Sequence, residues 1–140
     1  EERRIKQSIE DHNLSGCVVF HGFVSNEVLA SAQLAADICL LLKAEIDQNR
    51  YNFPTKLMDY LDLSKPVVMT RIATHQHYFT DRENAIFVAP GSAESLFEGL
   101  YFAWGHRGEA REIGRRGREV LLSRFSAERE TAKYLDYLHA

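Results

Sequence analysis

Long apolar runs are absent from this sequence of 140 residues. They stop at five residues, as in Ile38 to Leu42, far short of the roughly 20 that a membrane-spanning helix needs. A basic excess is absent too. Lys and Arg number 17 against 20 Asp and Glu, for a formal net charge of -3. That argues against a chain built to coat nucleic acid, whose footprint is strongly basic. Cysteine is scarce. Cys17 and Cys39 lie in or beside apolar runs with no metal-site or disulfide spacing, so two buried free thiols are expected, as in a cytoplasmic protein. No internal repeat, dinucleotide or Walker glycine loop, nucleophile motif or Asp-x-Asp pair occurs. The charged start, Glu1 to Arg4, has no apolar stretch behind it and is not expected to be a secretory leader.

What is present is alternation. Short, wholly apolar runs at Val18–Phe20, Ile38–Leu42, Val67–Met69 and Ala85–Val88 read as buried strands. Amphipathic stretches separate them. Arg3 to Asp11 reads as a helix with Ile5 and Ile9 on one face. Ser25 caps a second, Asn26 to Ala36, with Val28, Leu29, Ala32 and Ala35 inward. Pro54 opens a third, which runs to about Leu63. A short helix falls near His75 to Phe79, and Ser92 caps another from Ala93 to Trp104. Glu109 to Arg124 and a last helix from Ser126, with Ala132, Leu135 and Leu138 on one face, close the chain. Apolar strands joined by crossover helices predict an α/β class: a Rossmann-like parallel sheet flanked by helices, in one domain spanning residues 1–140. In the order 3-2-1-4-5-6 two strands precede the one at Val18, so a first strand–helix–strand unit is expected outside this chain.

Ligands of such sheets bind beyond the carboxyl ends of the strands. The most informative segment there is Asn52 to Leu61. A helix starting at Pro54 offers the backbone N–H groups of Thr55 and Lys56, with their side chains, to an anion such as a diphosphate. Asp59, one turn on and on the same face, is placed to accept hydrogen bonds from ribose hydroxyls. Leu57, Met58 and Leu61 take the buried face. The competing reading is a solvated helix with a Lys56–Asp59 surface ion pair. His75 and His77 read as ordinary polar residues, with His75 beside the ligand pocket as the alternative. Metal sites need three or four converging ligands, and none is expected here. Arg107, Arg111, Arg115, Arg116 and Arg118 interleave with Glu109, Glu112 and Glu119, the pattern of a solvated face. Tyr101, Phe102, Trp104, Tyr134 and Tyr137 read as packing residues.

The order of segments resembles the carboxy-terminal donor-binding domain of the GT-B fold glycosyltransferases, in the large retaining group 1, or family 4-like, set. Val18 to Val24 is similar to a V-x-F-x-G-x-V strand and turn, and Ala35-Ala36-Asp37-Ile38 to an A-A-D-V lead-in. Phe53 to Leu61 with Lys65 to Val68 is close to S-P-T-K-L-x-E-Y-x-A-x-G-K-P-V-V. Asp81 to Pro90 resembles D-G-x-N-G-x-x-V-x-P, and Arg124-Phe125-Ser126 resembles R-F-S-W. The resemblance runs nearly end to end.

It implies transfer of a sugar from a nucleoside-diphosphate sugar to an acceptor hydroxyl, with no cofactor or metal. The second glutamate of the family's E-x7-E pair falls on Asp59 and binds ribose. The first falls on Tyr51, which is not acidic. Implied donor-binding residues are Asp59, Thr55, Lys56, Pro54, Phe53 and Tyr51, with Phe23 and Val24 near the base. Lys43 and Arg50 are the nearest local cations, because the family's phosphate-binding pair belongs to the upstream segment. Catalytic groups, and the site for a glycan, lipid or small-molecule acceptor, are implied in an amino-terminal domain, so this fragment alone is expected to be inactive. The resemblance allows peripheral membrane association of the full-length protein. Tyr51 leaves open a non-catalytic Rossmann-like module, and a GT-B nucleotide-sugar epimerase is the other alternative.

Overall fold

The computed structural model describes residues 1–46 and 54–125. Two compact units divide it, the first ending at Leu34 and the second beginning at Ala35. The last expected helix, with Tyr134 and Tyr137, lies outside the described residues, as do Arg50, Tyr51 and Phe53.

In the first unit, α1 spans Glu2–Asp11 and α2 spans Asn26–Ala35. Helix α1 is laced by a Lys6–Glu2 ion pair of 2.7 Å and a Gln7–Asp11 hydrogen bond of 2.9 Å. Ser25 starts α2 as expected, its Oγ accepting the Val28 N–H at 3.4 Å. The apolar face expected to be inward is not buried: Val28 and Leu29 are exposed, and α2 holds no buried residue. The expected strand Val18–Phe20 does not form either. Among the described residues it pairs with no strand. A strand is a pairing, so a short apolar run without a ladder partner does not become one. Cys17 is exposed, against expectation, its Sγ set 3.4 Å from the Leu14 carbonyl.

The second unit holds a three-stranded parallel sheet in the order β1 (Cys39–Leu41), β2 (Val67–Thr70), β3 (Ile86–Val88). The register pairs Leu40 with Val68, and Val68 with Ile86. Side chains alternate between faces, so the sheet feeds two cores. Cys39, Leu41, Val67, Met69 and Phe87 pack with Leu57 and Leu61 of α3 (Thr55–Asp62). Val68, Ile86 and Val88 pack with Ala103 of α5 (Ala93–Gly105) and with Ala110 and Ile113 of α6 (Arg107–Arg124). The short helix α4 (Ala73–Gln76) lies between β2 and β3 in the chain. This is the expected α/β class, a parallel sheet flanked by helices.

Helix α6 sits close because it carries glycine where a side chain has no room. A methyl group on Gly114 would lie 2.7 Å from the Pro66 nitrogen and 2.8 Å from the Lys65 carbonyl carbon. The outer face of α6 is solvated as expected. Arg115 pairs with Glu112 and Glu119, Arg116 with Glu112, and Arg118 with Asp62. The Arg115 guanidinium, bonded to Glu112, pulls that carboxylate down to about 2.

Candidate functional site

Parallel strands end together, so the residues that follow them share one edge. At that edge lies an open cleft of about 320 Å³. Leu42, Lys43 and Ala44, just after β1, form one wall. Thr70, the last residue of β2, lies between, and Val88 to Leu96, the turn from β3 into α5, contributes the other wall. Most of this lining is apolar; Lys43, Thr70 and Ser92 bring the polar groups.

Hydrogen bonds tie the three strand ends together. The Lys43 N–H donates to Thr70 Oγ1 at 3.0 Å. The Arg71 N–H donates to the Val88 carbonyl at 2.8 Å. Gly91 takes a φ of 71° that side-chain-bearing residues avoid, and Ser92 then caps α5 by accepting the Ser95 N–H at 3.1 Å. Ser95 Oγ in turn accepts the Ala89 N–H at 2.9 Å. Beside the cleft, Arg71 pairs with Asp81 at 2.6 Å, and Asp81 accepts the Phe87 N–H at 2.8 Å.

His75 corrects the reading of an ordinary polar residue. It is fully buried on α4, with Nδ1 2.7 Å from the Thr70 carbonyl. A carbonyl only accepts, so Nδ1 carries the hydrogen, and Nε2 keeps its lone pair in the neutral ring. Nε2 is sealed from solvent without a partner among the described residues. Burial pushes the pKa below the ordinary 6.5; the Thr70 bond opposes this and the Lys43 charge adds to it. No hydroxyl or histidine pattern in the sequence singles out this contact, because it joins α4 to β2 through the backbone.

Helix α3 connects β1 to the parallel β2, so its amino end returns to the same edge of the sheet. Pro54 precedes it, buried and extended at φ -77° and ψ 118°. Its carbonyl accepts the Leu57 N–H at 3.0 Å. The N–H groups of Thr55 and Lys56 are left without an intrahelical acceptor. Thr55, Lys56 and Asp59 are exposed, while Leu57 and Leu61 are fully buried. Lys56 and Asp59 form no ion pair, while the exposure of this face is what the competing reading of a solvated helix also expects. Tyr60, half-buried, has its pKa raised by burial first and then by Cys39 and the Asp59 charge.

Four of the expected site residues thus fall together, Thr55, Lys56 and Asp59 on one helix and Pro54 at its cap, but none of them lines the cleft. Phe23 and Val24 belong to the first unit, both exposed, after Gly22 with its φ of 64°. Lys43, noted as a local cation, does line the cleft; the Gly91–Ser92 turn was not expected there. Tyr101 and Trp104, read as packing residues, are exposed at 68% and 61%.

Against known proteins, the sequence family described as "Glycosyl transferases group 1" matches residues 1–120. No curated protein sequence matches. Sucrose-phosphate synthase from Thermosynechococcus elongatus is similar in structure, with a TM-score of 0.79, 22% identity, and 98% of this chain aligned to 34% of that one. The C-terminal domain of a glycosyl transferase group 1 family protein from Francisella tularensis gives 0.72 at 16% identity, covering 90% of this chain and 63% of that one. Anabaena HepE in complex with UDP-glucose gives 0.82 at 16% identity, covering 98% and 36%. The chain therefore spans about a third of the length of two of these neighbours. Likeness at such identities speaks for the fold, whereas the family match covers most of the sequence: the chain belongs to the group 1 glycosyl transferases.

Proposed function

We propose that this chain is the donor-binding domain of a glycosyltransferase that moves a sugar from a nucleoside-diphosphate sugar to an acceptor hydroxyl, with retention at the anomeric carbon. The amino end of α3 carries the reading. Two uncommitted N–H groups, the Lys56 ammonium and the Thr55 hydroxyl stand at the edge where such sheets bind ligands, and the Asp59 carboxylate lies one turn behind. A similar fold has been seen with UDP and with UDP-glucose in Anabaena HepE.

The barrier to transfer lies in departure of the diphosphate as negative charge builds on it. Fixed dipoles and cations stabilise that charge without having to reorganise. Thr55 and Lys56 are assigned to the diphosphate and Asp59 to the ribose hydroxyls. Tyr51 stands at the family's first acidic position. No resident metal is invoked, since the sequence offers no Asp-x-Asp pair. Acceptor recognition is assigned to a partner domain of the full-length protein.

The test is a titration of UDP, GDP and ADP into this chain, followed by ligand-observed NMR, with Asp59→Ala alongside. One diphosphate is expected to bind preferentially, and Asp59→Ala to weaken it about tenfold or more, the worth of charge-assisted hydrogen bonds. Silence from all three, repeated on the full-length protein, would remove the donor reading in favour of a non-catalytic module.

A further inference from the structure

A core position that needs only bulk is better filled by leucine or phenylalanine than by histidine. His75 occupies such a position, with no exposed surface, and there its Nε2 lone pair meets no donor among the described residues. An unmet acceptor is a cost that an apolar side chain would not carry. The feature that a phenylalanine could not reproduce is the Nδ1–H bond to the Thr70 carbonyl at 2.7 Å.

Thr70 is the residue through which that bond reaches the cleft. It is itself buried and uses both of its oxygens. The carbonyl is taken by His75 and by the Ile72 N–H at 3.0 Å, and the hydroxyl by the Lys43 N–H at 3.0 Å. Lys43 and Thr70 both line the cleft. A rotation at the end of β2 would therefore move the hydroxyl that holds the opposite wall.

We infer that His75 is a positioning residue for the cleft: it fixes the end of β2 through the Thr70 carbonyl, and so aims the Thr70 hydroxyl that anchors the Lys43 backbone. Its consequence for ligand affinity rests on the donor-domain reading; the backbone geometry does not depend on it.

The test is amide hydrogen exchange at Lys43, read against the ladder amides of Val68 and Met69. Thr70→Val removes the acceptor and sets the full effect. His75→Phe keeps an aromatic ring, somewhat larger than imidazole, and loses the donor. Its Lys43 amide is expected to exchange at least tenfold faster, with the ladder amides within threefold of the parent. A Lys43 rate equal to the parent's in that variant would overturn the inference. His75→Asn places an amide nitrogen where Nδ1 stands and is expected to restore the parent rate. If His75→Phe fails to fold, His75→Asn decides: restored Lys43 protection supports the role, and a tenfold loss with an intact ladder refutes it. A UDP titration of the same proteins should show at least fivefold weaker binding for His75→Phe and less than twofold for His75→Asn. A parent chain that binds no diphosphate would remove the donor reading, while the exchange rates would still decide the role of His75.

Discussion

His75 ties protonation to folding. Its pKa lies below the ordinary 6.5 because the ring is buried, and Lys43 is the charged group that adds to the effect. Above pH 6.5 the ring is neutral in both folded and unfolded chains, and its burial is uncontested. Below that value the unfolded chain takes up the proton first. Stability therefore falls as pH drops from 6.5 towards the depressed folded pKa, by at most about 1.4 kcal/mol per pH unit from this one group. Urea unfolding of the parent and of His75→Asn between pH 7.5 and 5 checks it. The difference between the two should shrink or change sign on the acid side; a constant difference would show that His75 does not titrate on unfolding. Asp59 illustrates the other kind of single residue: exposed, and so expected to matter to ligand rather than to folding.

Helices and strands differ in how far a sequence declares them. Helix α5 begins where Ser92 says it should, and α3 begins just after Pro54, because caps and proline act on their own neighbours. The strands of the sheet were legible as unbroken apolar runs; β2 and β3 are buried on both faces, while β1 leaves Leu40 exposed. Val18–Phe20 carries the same local signal without a ladder, since pairing is decided by chain elsewhere. The exposed face of α3 could be read from helical spacing alone. The cleft could not, for its walls come from segments far apart in sequence, Leu42 to Ala44, Thr70 and Val88 to Leu96. Helix α6 gives a sharp comparison between neighbours. Gly114→Ala pushes a methyl group into the backbone of Lys65 and Pro66 and should cost about 1–3 kcal/mol, as overpacking does. Arg115→Ala removes two exposed ion pairs and should cost about 1 kcal/mol or less. Urea unfolding of the two variants ranks them; an Arg115 effect above that of Gly114 would reverse the account of what seats this helix.

Burial is spread unevenly over the whole molecule. No residue of 1–34 is buried, whereas the strands of the second unit are almost wholly so. Protection against hydrogen exchange follows burial and cooperative hydrogen bonding. Amides of α1 and α2 are therefore expected to exchange at least about 100-fold faster than those of Val68, Met69 and Phe87. Equal protection in both units would overturn this link between burial and stability. The sequence has one tryptophan, and it is Trp104, mostly exposed with the Arg107 guanidinium 3.8 Å from its ring. The native protein should consequently emit like a solvated indole, red-shifted before any denaturant is added. Fluorescence will then change little on unfolding, and circular dichroism is the optical signal that follows the fold.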